Sequence, residues 1–184
     1  MSAPSPEIAA LEASLPSPEV REAALYARLK ELGIAWKAYE HVPVFTVDES
    51  QKLRGVVPGL HTKNLFLKDK KDGLWLVVAR EDQRVDLNGL AKLLGSPRFS
   101  FGSSELLVNT LGVPPGSVTP FALMNDATLK VSPVLDEKLM SGDILNCHPL
   151  RNDRSTTIAP KDLLTFIRAC GHAPRIVALP EIAP

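Results

Sequence analysis

A lysine that could bind an anion lies near the start of a predicted strand, the stretch His-Thr-Lys-Asn-Leu-Phe-Leu-Lys-Asp at residues 61–69. Side chains along a strand alternate between the two faces of a sheet. Lys63 should therefore share a face with Leu65 and Leu67, and Asn64 should point to the other face. A lysine in this position has two interpretations. Its stem can lie along the sheet while the ammonium reaches water, or the ammonium can be held in a cleft for an anion.

Two other stretches carry residues that can bind a ligand. The stretch Gly-Val-Pro-Pro-Gly-Ser-Val-Thr-Pro at residues 112–120 cannot be helix interior or central strand, so it should be a rigid, shaped loop. Residues 148–157 contain His148, Asn152 and Thr156 next to predicted strands. A histidine or asparagine between strands often serves only as a turn cap or an Asx turn, so the pattern alone leaves these roles open.

Several common catalytic chemistries have no signature in the sequence. There is no GxSxG nucleophile elbow and no Walker loop. Cys147 and His148 are neighbours on a predicted strand and should point to opposite faces, so they cannot readily pair as nucleophile and base. Cys147 is better explained as a small buried side chain. No metal site is predicted, because the histidines form no HxxxH or HxH pair: they are His41, His61, His148 and His172.

The elements that must position these residues form a mixed pattern of helices and strands. Residues 70–73, Lys-Lys-Asp-Gly, predict a tight hairpin between the first strand and a nearly continuous apolar strand, residues 74–79, at the sheet centre. The predicted helices cover residues 18–32, 48–54, 87–94, 104–111 and 160–170. The other predicted strands cover residues 34–40, 131–135, 143–147, 155–158 and 175–179.

This order of elements predicts an α/β (α+β) fold, with a mixed, mostly antiparallel sheet flanked by helices. Three prolines around a short alanine-rich piece predict a flexible tail at residues 1–16, followed by a single domain at residues 17–184. A chain of 184 residues that is 45% hydrophobic suits one ordinary globular domain.

The charge balance argues against attraction of charged partners by the whole surface. With 21 basic and 21 acidic residues the net charge is zero, so no global field favours DNA or a membrane surface, and any RNA contact must come from a local patch. The two cysteines have no CxxC spacing, which argues against a zinc ribbon and a disulfide scaffold. No stretch has the pattern of a signal peptide or a membrane span, so a cytoplasmic location is expected.

Together, the candidate residues resemble a known family. The matching pieces are Thr-Lys-Asn-Leu-Phe-Leu at residues 62–67, the Gly-x-x-x-Pro loop at residues 116–120, and His148-Pro149 with Asn152 and Thr156. This combination resembles the YbaK/ProX family of aminoacyl-tRNA editing deacylases, which includes the insertion domain of bacterial prolyl-tRNA synthetase. The resemblance covers nearly the whole chain, and residues 115–121 are most similar to the freestanding enzymes that hydrolyse Ala-tRNA(Pro).

The resemblance implies an enzyme that removes alanine from mischarged tRNA(Pro) by hydrolysing the ester, with no cofactor and no metal. The family is thought to use the ribose hydroxyl of the tRNA to help activate water, which would account for the missing nucleophile. The implied partners are the acceptor end of tRNA(Pro) carrying a small amino acid and, beyond it, prolyl-tRNA synthetase. Deacylation of Cys-tRNA(Pro) or Ser-tRNA, and a non-catalytic module that binds the aminoacyl-tRNA end, stay open as alternatives.

The same resemblance implies a role for each piece of the catalytic site. Lys63 would hold the terminal phosphate or ribose and place the ester, and Asn64 would help to fix that end of the strand. The loop with Gly116, Ser117 and Pro120 would bring backbone donors close to the substrate carbonyl or amine.

The resemblance also implies which residues surround the substrate. His148, Asn152 and Thr156 would border the aminoacyl pocket, with His148 either a wall residue or a proton carrier. RNA binding needs cations at the mouth of the pocket, and Lys68 and Arg98 are expected to supply them. The alternative for Lys68 is a solvated hairpin tip.

Overall fold

The structure is a computed structural model that describes residues 5–43, 46, 48, 52 and 57–183. Within these residues, eight strands form one sheet that has helices on both faces. The strands are β1 (Lys37–Glu40), β2 (Leu60–Asp69), β3 (Leu74–Arg80), β4 (Phe99–Phe101), β5 (Val131–Asp136), β6 (Leu145–Cys147), β7 (Arg154–Ile158) and β8 (Arg175–Val177). The helices are α1 (Pro6–Ala13), α2 (Pro18–Glu31), α3 (Leu87–Leu94), α4 (Ser104–Leu111), α5 (Glu137–Met140) and α6 (Pro160–Ala169), with a 3₁₀ helix at Pro120–Asn125. The helix predicted at residues 48–54 lies largely outside the described residues and stays a prediction.

The sheet runs in the order β1-β7-β6-β2-β3-β5-β8, and β4 also pairs with β2. Four pairings are antiparallel and three are parallel, which confirms the predicted mixed, mostly antiparallel sheet. The predicted hairpin is the β2–β3 pair, in which Thr62 lies opposite Arg80 and Lys68 lies opposite Leu74. As expected for a central strand, β3 is largely buried.

Alternate residues of β2 pack into different apolar clusters, one on each face of the sheet. On the first face, Phe66 packs with side chains of α2, α4, the 3₁₀ helix and α6. On the second face, Leu65 and Leu67 pack with side chains of β3, β5 and α3. By the alternation of the strand, Lys63 belongs to the second face and Asn64 to the first, as the sequence predicts.

The helix ends follow from local sequence. Ser17, Asp86 and Ser103 each accept a hydrogen bond from a backbone N–H in the first turn of α2, α3 and α4, which stabilises those ends. α3 ends at Gly95 and α4 at Gly112, where φ is 68° and 63°. Glycine enters this left-handed region without steric cost, so these residues terminate the helices as predicted.

The segment predicted to be a flexible tail contains a helix that the sequence did not predict. The hydroxyl of Ser5 accepts a hydrogen bond from the N–H of Ile8 (3.3 Å) and caps α1. None of the α1 residues is buried, and the helix lies beside α4. The flexibility of residues 1–16 stays a prediction. In the part of the chain that the structure describes, no helix is long and apolar enough to cross a membrane.

Asp69 ends β2 and holds the hairpin turn together. Its buried carboxylate accepts hydrogen bonds from the N–H groups of Lys71 (2.8 Å) and Gly73 (2.9 Å), the indole of Trp75 (3.0 Å) and the hydroxyl of Ser96 (3.2 Å). Burial by itself raises the pKa of this carboxyl, but the hydrogen bonds outweigh it, so the pKa of Asp69 lies below its ordinary value.

Asp69→Asn is expected to lower the free energy of unfolding by about 1–3 kcal/mol near neutral pH, because an amide has a single acceptor oxygen for these donors. The depressed pKa sets the sign of the pH dependence. The contribution of ionised Asp69 is full above the ordinary carboxyl pKa of about 3.9 and is lost as the pH falls below it. Urea unfolding between about pH 7 and pH 3 should therefore show a smaller loss of stability for the variant than for the wild type. Equal losses would contradict this role.

Candidate functional site

The second face of the sheet is polar where β2, β6 and β7 meet. The register places His61 beside Asn146 and Asn146 beside Thr157, so these side chains share a face. Lys63 and Ser155 follow on the same face, two residues along their strands. We call His61, Lys63, Asn146, Ser155 and Thr157 the polar face. Asn146, Ser155 and Thr157 are buried, although they are polar.

Lys63 is held within the fold. Its ammonium donates a hydrogen bond to the backbone carbonyl of Gln83, in the turn that follows β3. Burial lowers the pKa of Lys63, and the carboxylates of Asp82 and Glu81 partly oppose that shift. The side chain is half-buried, which fits an ammonium held in a cleft better than one that reaches into open water.

The turn whose Gln83 carbonyl accepts the hydrogen bond from Lys63 is itself bonded to the C-terminal segment. Gln83 is buried, and its side-chain amide donates to a carboxylate oxygen of Glu181 (3.1 Å). The same oxygen of Glu181 accepts a hydrogen bond from the ammonium of Lys138 (3.0 Å). Sequence reasoning missed Gln83 and Glu181, because nothing local links residues so far apart in the chain.

A cavity of about 290 Å³ lies against this turn. It is lined by Gly59, Leu60, His61, Arg80, Glu81 and Asp82. The guanidinium of Arg80 donates to Asp82 (3.1 Å), and its side chain is 31% exposed. Arg80 is therefore a cation at the rim of this cavity, one position along the hairpin from the pair of Lys63 and Ala79, and sequence reasoning also missed it. Its position opposite Thr62 was implicit in the predicted hairpin, so register counting is the signal that could have found it.

Asn64 follows Lys63 in the chain but does not share its face. Its side-chain oxygen is buried and accepts no hydrogen bond from the described residues. On the edge of β2 away from β3, β6 pairs with Leu60 and His61, and β4 pairs with residues 67–69. In the described part of the chain, no strand pairs with residues 62–66 on that edge. A gap in the strand pairing therefore lies beside Asn64.

His148 lies directly after β6 and is half-buried. Its Nδ1 is 3.4 Å from the carbonyl oxygen of Arg154. A carbonyl only accepts hydrogen bonds, so this contact assigns the proton to Nδ1 and leaves Nε2 as an acceptor. Burial lowers the pKa of His148, the Arg154 carbonyl opposes that shift, and His41 and His61 reinforce it. The imidazole should thus be neutral near pH 7.

The two other predicted pocket residues lie on β7 and on the loop between β6 and β7. Thr156 is fully buried on the first face, where its hydroxyl shares a hydrogen bond with the hydroxyl of Tyr26 (2.8 Å). Asn152 lies half-buried in the loop between β6 and β7. The structure therefore does not place Thr156 with the polar face.

Cys147 is buried on the first face, where burial raises the pKa of its thiol to about 12. A hydrogen bond from Thr62 to the sulfur (3.7 Å) opposes that shift only weakly. The thiol is therefore protonated at neutral pH and is not a ready nucleophile.

The predicted glycine-proline loop is ordered by its own backbone. Gly116 has a φ of 87°, and the N–H of the buried Ser117 donates to the carbonyl of Pro114 (3.1 Å). The hydroxyl of Thr119 accepts from the backbone at the start of the 3₁₀ helix, which begins at Pro120. This confirms a shaped loop that ends where the chain turns helical.

The beginning of that loop lies close to the loop that follows His148. Gly112 and Leu150 line the same small cavity, of about 160 Å³, together with residues of α2. None of the predicted site residues of either piece lines this cavity, so it does not bring Gly116, Ser117 and Pro120 together with His148.

Lys68 and Arg98 lie at the opposite end of β2 from Lys63. Five residues of extended chain separate Lys68 from Lys63 by about 17 Å. The ammonium of Lys68 is 2.7 Å from a carboxylate oxygen of Asp72. Arg98 is exposed immediately before β4, whose Phe99 pairs with the end of β2. These two cations therefore lie at the same end of β2, away from the Lys63 ammonium.

Among the described residues, no group of three or more histidine, cysteine, aspartate or glutamate side chains could hold a metal ion. What the polar face offers is a positioned ammonium, a neutral imidazole close by and buried hydroxyl and amide groups. Such groups can orient an anionic substrate and accept protons.

Comparison with known proteins decides the family. Residues 41–166, well over half of the chain, match the model of the aminoacyl-tRNA editing domain. The chain belongs to this family. Every site residue predicted from the sequence lies within the matched range.

The editing domain has relatives of similar length. It is 40% identical over 152 residues to "Prolyl-tRNA synthetase associated domain-containing protein 1" of Danio rerio, covering 82% of this chain and 83% of the relative. It is 35% identical over 157 residues to "Prolyl-tRNA editing protein ProX" of Acetoanaerobium sticklandii, covering 85% of this chain and 96% of the relative.

The fold is also found in a solved structure with a proposed role as a trans-editing enzyme for prolyl-tRNA synthetase. The TM-score is 0.67 at 24% sequence identity, and the match covers 90% of this chain and 99% of the other. At this identity the likeness concerns the fold alone.

Proposed function

We propose that this editing domain is a trans-editing deacylase that hydrolyses the ester of mischarged Ala-tRNA(Pro). Support comes from relatives whose names refer to prolyl-tRNA editing or to prolyl-tRNA synthetase. The observation that carries the proposal is the ammonium of Lys63, held half-buried on the polar face. Burial disfavours its charged form, so an anionic ligand would stabilise it there.

In the proposed reaction, water adds to the ester carbonyl between alanine and the terminal ribose. The bond between the carbonyl carbon and the ribose oxygen then breaks, alanine leaves with its new carboxylate, and the ribose oxygen regains a proton. The neighbouring ribose hydroxyl of the tRNA helps to activate the water. The protein therefore needs no nucleophile of its own, in agreement with the inert thiol of Cys147.

Lys63 would hold the terminal phosphate or ribose and so place the ester. Its anchor on the carbonyl of Gln83 limits the positions that the ammonium can take. Holding the ester in one geometry lowers the entropic part of the activation barrier for hydrolysis. Asn64 would fix β2 beside the gap in the strand pairing. Its side-chain oxygen has no hydrogen-bond donor among the described residues.

The loop with Gly116, Ser117 and Pro120 would supply backbone N–H groups to the carbonyl oxygen, where negative charge develops in the transition state. His148 and Asn152 would border the alanine pocket, whereas Thr156 is hydrogen-bonded to Tyr26 on the first face and would only support the strand beside them. His148 would either accept a proton at its unprotonated Nε2 or serve only as a wall of the pocket. The wall would require the ring alone and no proton transfer.

The tRNA itself would be bound by cations outside the pocket. Lys68 and Arg98 are the contacts proposed from the sequence, and their distance from Lys63 assigns them to the acceptor stem rather than to the ester. Arg80 would contact the phosphates nearest the ester, since it lines the cavity beside the turn that holds Lys63.

A single-turnover assay tests the proposed activity. The wild-type protein in excess over Ala-tRNA(Pro) should release free alanine much faster than buffer does, and the rate should be unchanged in EDTA. The control is the same tRNA incubated with heat-denatured protein. Alanine release at the buffer rate would refute the Ala-tRNA(Pro) deacylase and leave deacylation of Cys-tRNA(Pro) or Ser-tRNA, or a binding module, as the function of this chain.

A further inference from the structure

A second cavity, of about 300 Å³, lies at the corner where β1 begins and β7 ends. Its walls are mainly apolar, with aromatic side chains and one exposed lysine among them. The lining residues include Trp36, Lys37, Tyr39 and Thr157.

The aromatic wall is held in place before any ligand binds. The ring of Trp36 is stacked on that of Tyr26, with centroids 5.2 Å apart and planes inclined by 18°. The hydroxyl of Tyr26 is in turn hydrogen-bonded to Thr156 (2.8 Å). An indole fixed in this way can stack on a flat ligand with little loss of side-chain freedom.

The cavity and the polar face share one residue. Thr157 lines the cavity and also belongs to the polar face, beside Asn146. Thr157 and His61 are separated by one strand, β6, and thus by about 10 Å. An RNA 3′ end whose ester lies over Lys63 can therefore extend across β6 and β7 into the cavity.

We propose that this cavity binds a nucleobase of the single-stranded 3′ end of the substrate tRNA. The inference rests on the proposed function and deepens it. An aromatic wall stacks on any base, and a lysine beside it suits the adjoining phosphate, which is how proteins bind single-stranded nucleic acid. The base packs against Trp36 and Tyr39, and Lys37 contacts the backbone.

The two tryptophans of the chain allow a direct test. Trp75 lies on β3 and donates to Asp69, so Trp75→Phe leaves Trp36 as the single tryptophan and does not touch the cavity. Adding the trinucleotide CCA without an attached amino acid to this variant should quench its fluorescence in a saturable way. The matched control is Trp36→Phe, which keeps Trp75 as the reporter and should show no quenching.

Two further measurements distinguish stacking on a base from electrostatic attraction to the phosphates. Tyr39→Ala in the Trp75→Phe background should weaken binding of CCA roughly tenfold, as expected for one lost stacking contact. A ribose-phosphate trimer without bases should not quench. Absence of saturable quenching by CCA, or equal quenching by the trimer without bases, would overturn the nucleobase site.

The outcome is independent of the deacylase assay, because the trinucleotide carries no ester. Quenching by CCA in a protein that releases no alanine would support the nucleobase site and refute the proposed deacylase. Rapid alanine release without quenching would support the proposed deacylase and refute the nucleobase site.

Discussion

Replacing Lys63 with alanine is expected to slow single-turnover release of alanine from Ala-tRNA(Pro) by roughly 100-fold, because the ester is then no longer held in position. The melting temperature should change little, since the side chain is half-buried and makes one described hydrogen bond, to Gln83. Lys63→Met should lose the same activity, because it keeps an apolar stem of similar length and removes only the charge.

The matched control is Lys70→Ala, which removes an exposed lysine from the turn after the same strand. It should retain the wild-type rate. A Lys63→Ala protein that remains within about twofold of the wild type would show that this lysine does not place the substrate, whatever the activity of the chain.

The second large effect concerns the loop that carries His148 and Asn152. Arg151 is buried in this loop and contacts the carboxylates of Asp153 (2.5 Å), Glu19 (3.3 Å) and Glu22 (3.7 Å). Hydrogen bonding to Asp153 raises the pKa of Arg151, so it is charged at any accessible pH. Burial raises the pKa of Glu22, and Arg154 and Arg151 oppose that shift.

Arg151→Ala is expected to lower the free energy of unfolding by about 3 kcal/mol, because it leaves the buried carboxylate of Glu22 with less compensation. The measurement is urea unfolding at neutral pH. Glu31→Ala is the control, since it breaks the surface pair with Arg28 at an exposed residue and should cause no measurable change. An equally small effect of Arg151→Ala would show that the cluster does not stabilise the loop.

The parts of the fold that were predictable from sequence are those with local causes. Alternation along residues 61–69 and the Asp-Gly turn gave the β2–β3 hairpin and put Lys63 and Asn64 on opposite faces. Serine, aspartate and glycine marked the ends of α2, α3 and α4. Each of these signals acts within a few residues, so no knowledge of the rest of the chain was needed.

The parts that were not predictable depend on contacts between distant residues. The anchor of Lys63 requires Gln83 and Glu181 to meet, which only the packing of the C-terminal segment brings about. Thr156 lies between Ser155 and Thr157, and three small polar residues in a row give no signal of which one faces a helix. Arg80 becomes a neighbour of the site only after the hairpin register is known.

The proposed selectivity follows from the direction in which editing must work. A synthetase site that fits proline cannot exclude alanine by size, because missing methylenes cost only about 1–3 kcal/mol of discrimination. A second pocket sized for alanine can exclude proline instead, since overpacking a rigid pocket costs about 1–3 kcal/mol or more. The loop at residues 112–120, stiffened by its prolines, is suited to keep such a pocket at constant volume.

The central claim is that this chain removes a small, wrong amino acid from tRNA(Pro) and spares the correct one. The most direct measurement compares single-turnover hydrolysis of Ala-, Cys-, Ser- and Pro-tRNA(Pro) by the wild-type protein under identical conditions. We expect rapid hydrolysis of Ala-tRNA(Pro), partial hydrolysis of Ser-tRNA(Pro), and hydrolysis of Pro-tRNA(Pro) that is slower by roughly tenfold or more. A clear preference for Cys-tRNA(Pro) would assign the chain to the cysteine-specific enzymes, and equal hydrolysis of Pro-tRNA(Pro) would contradict selection by size.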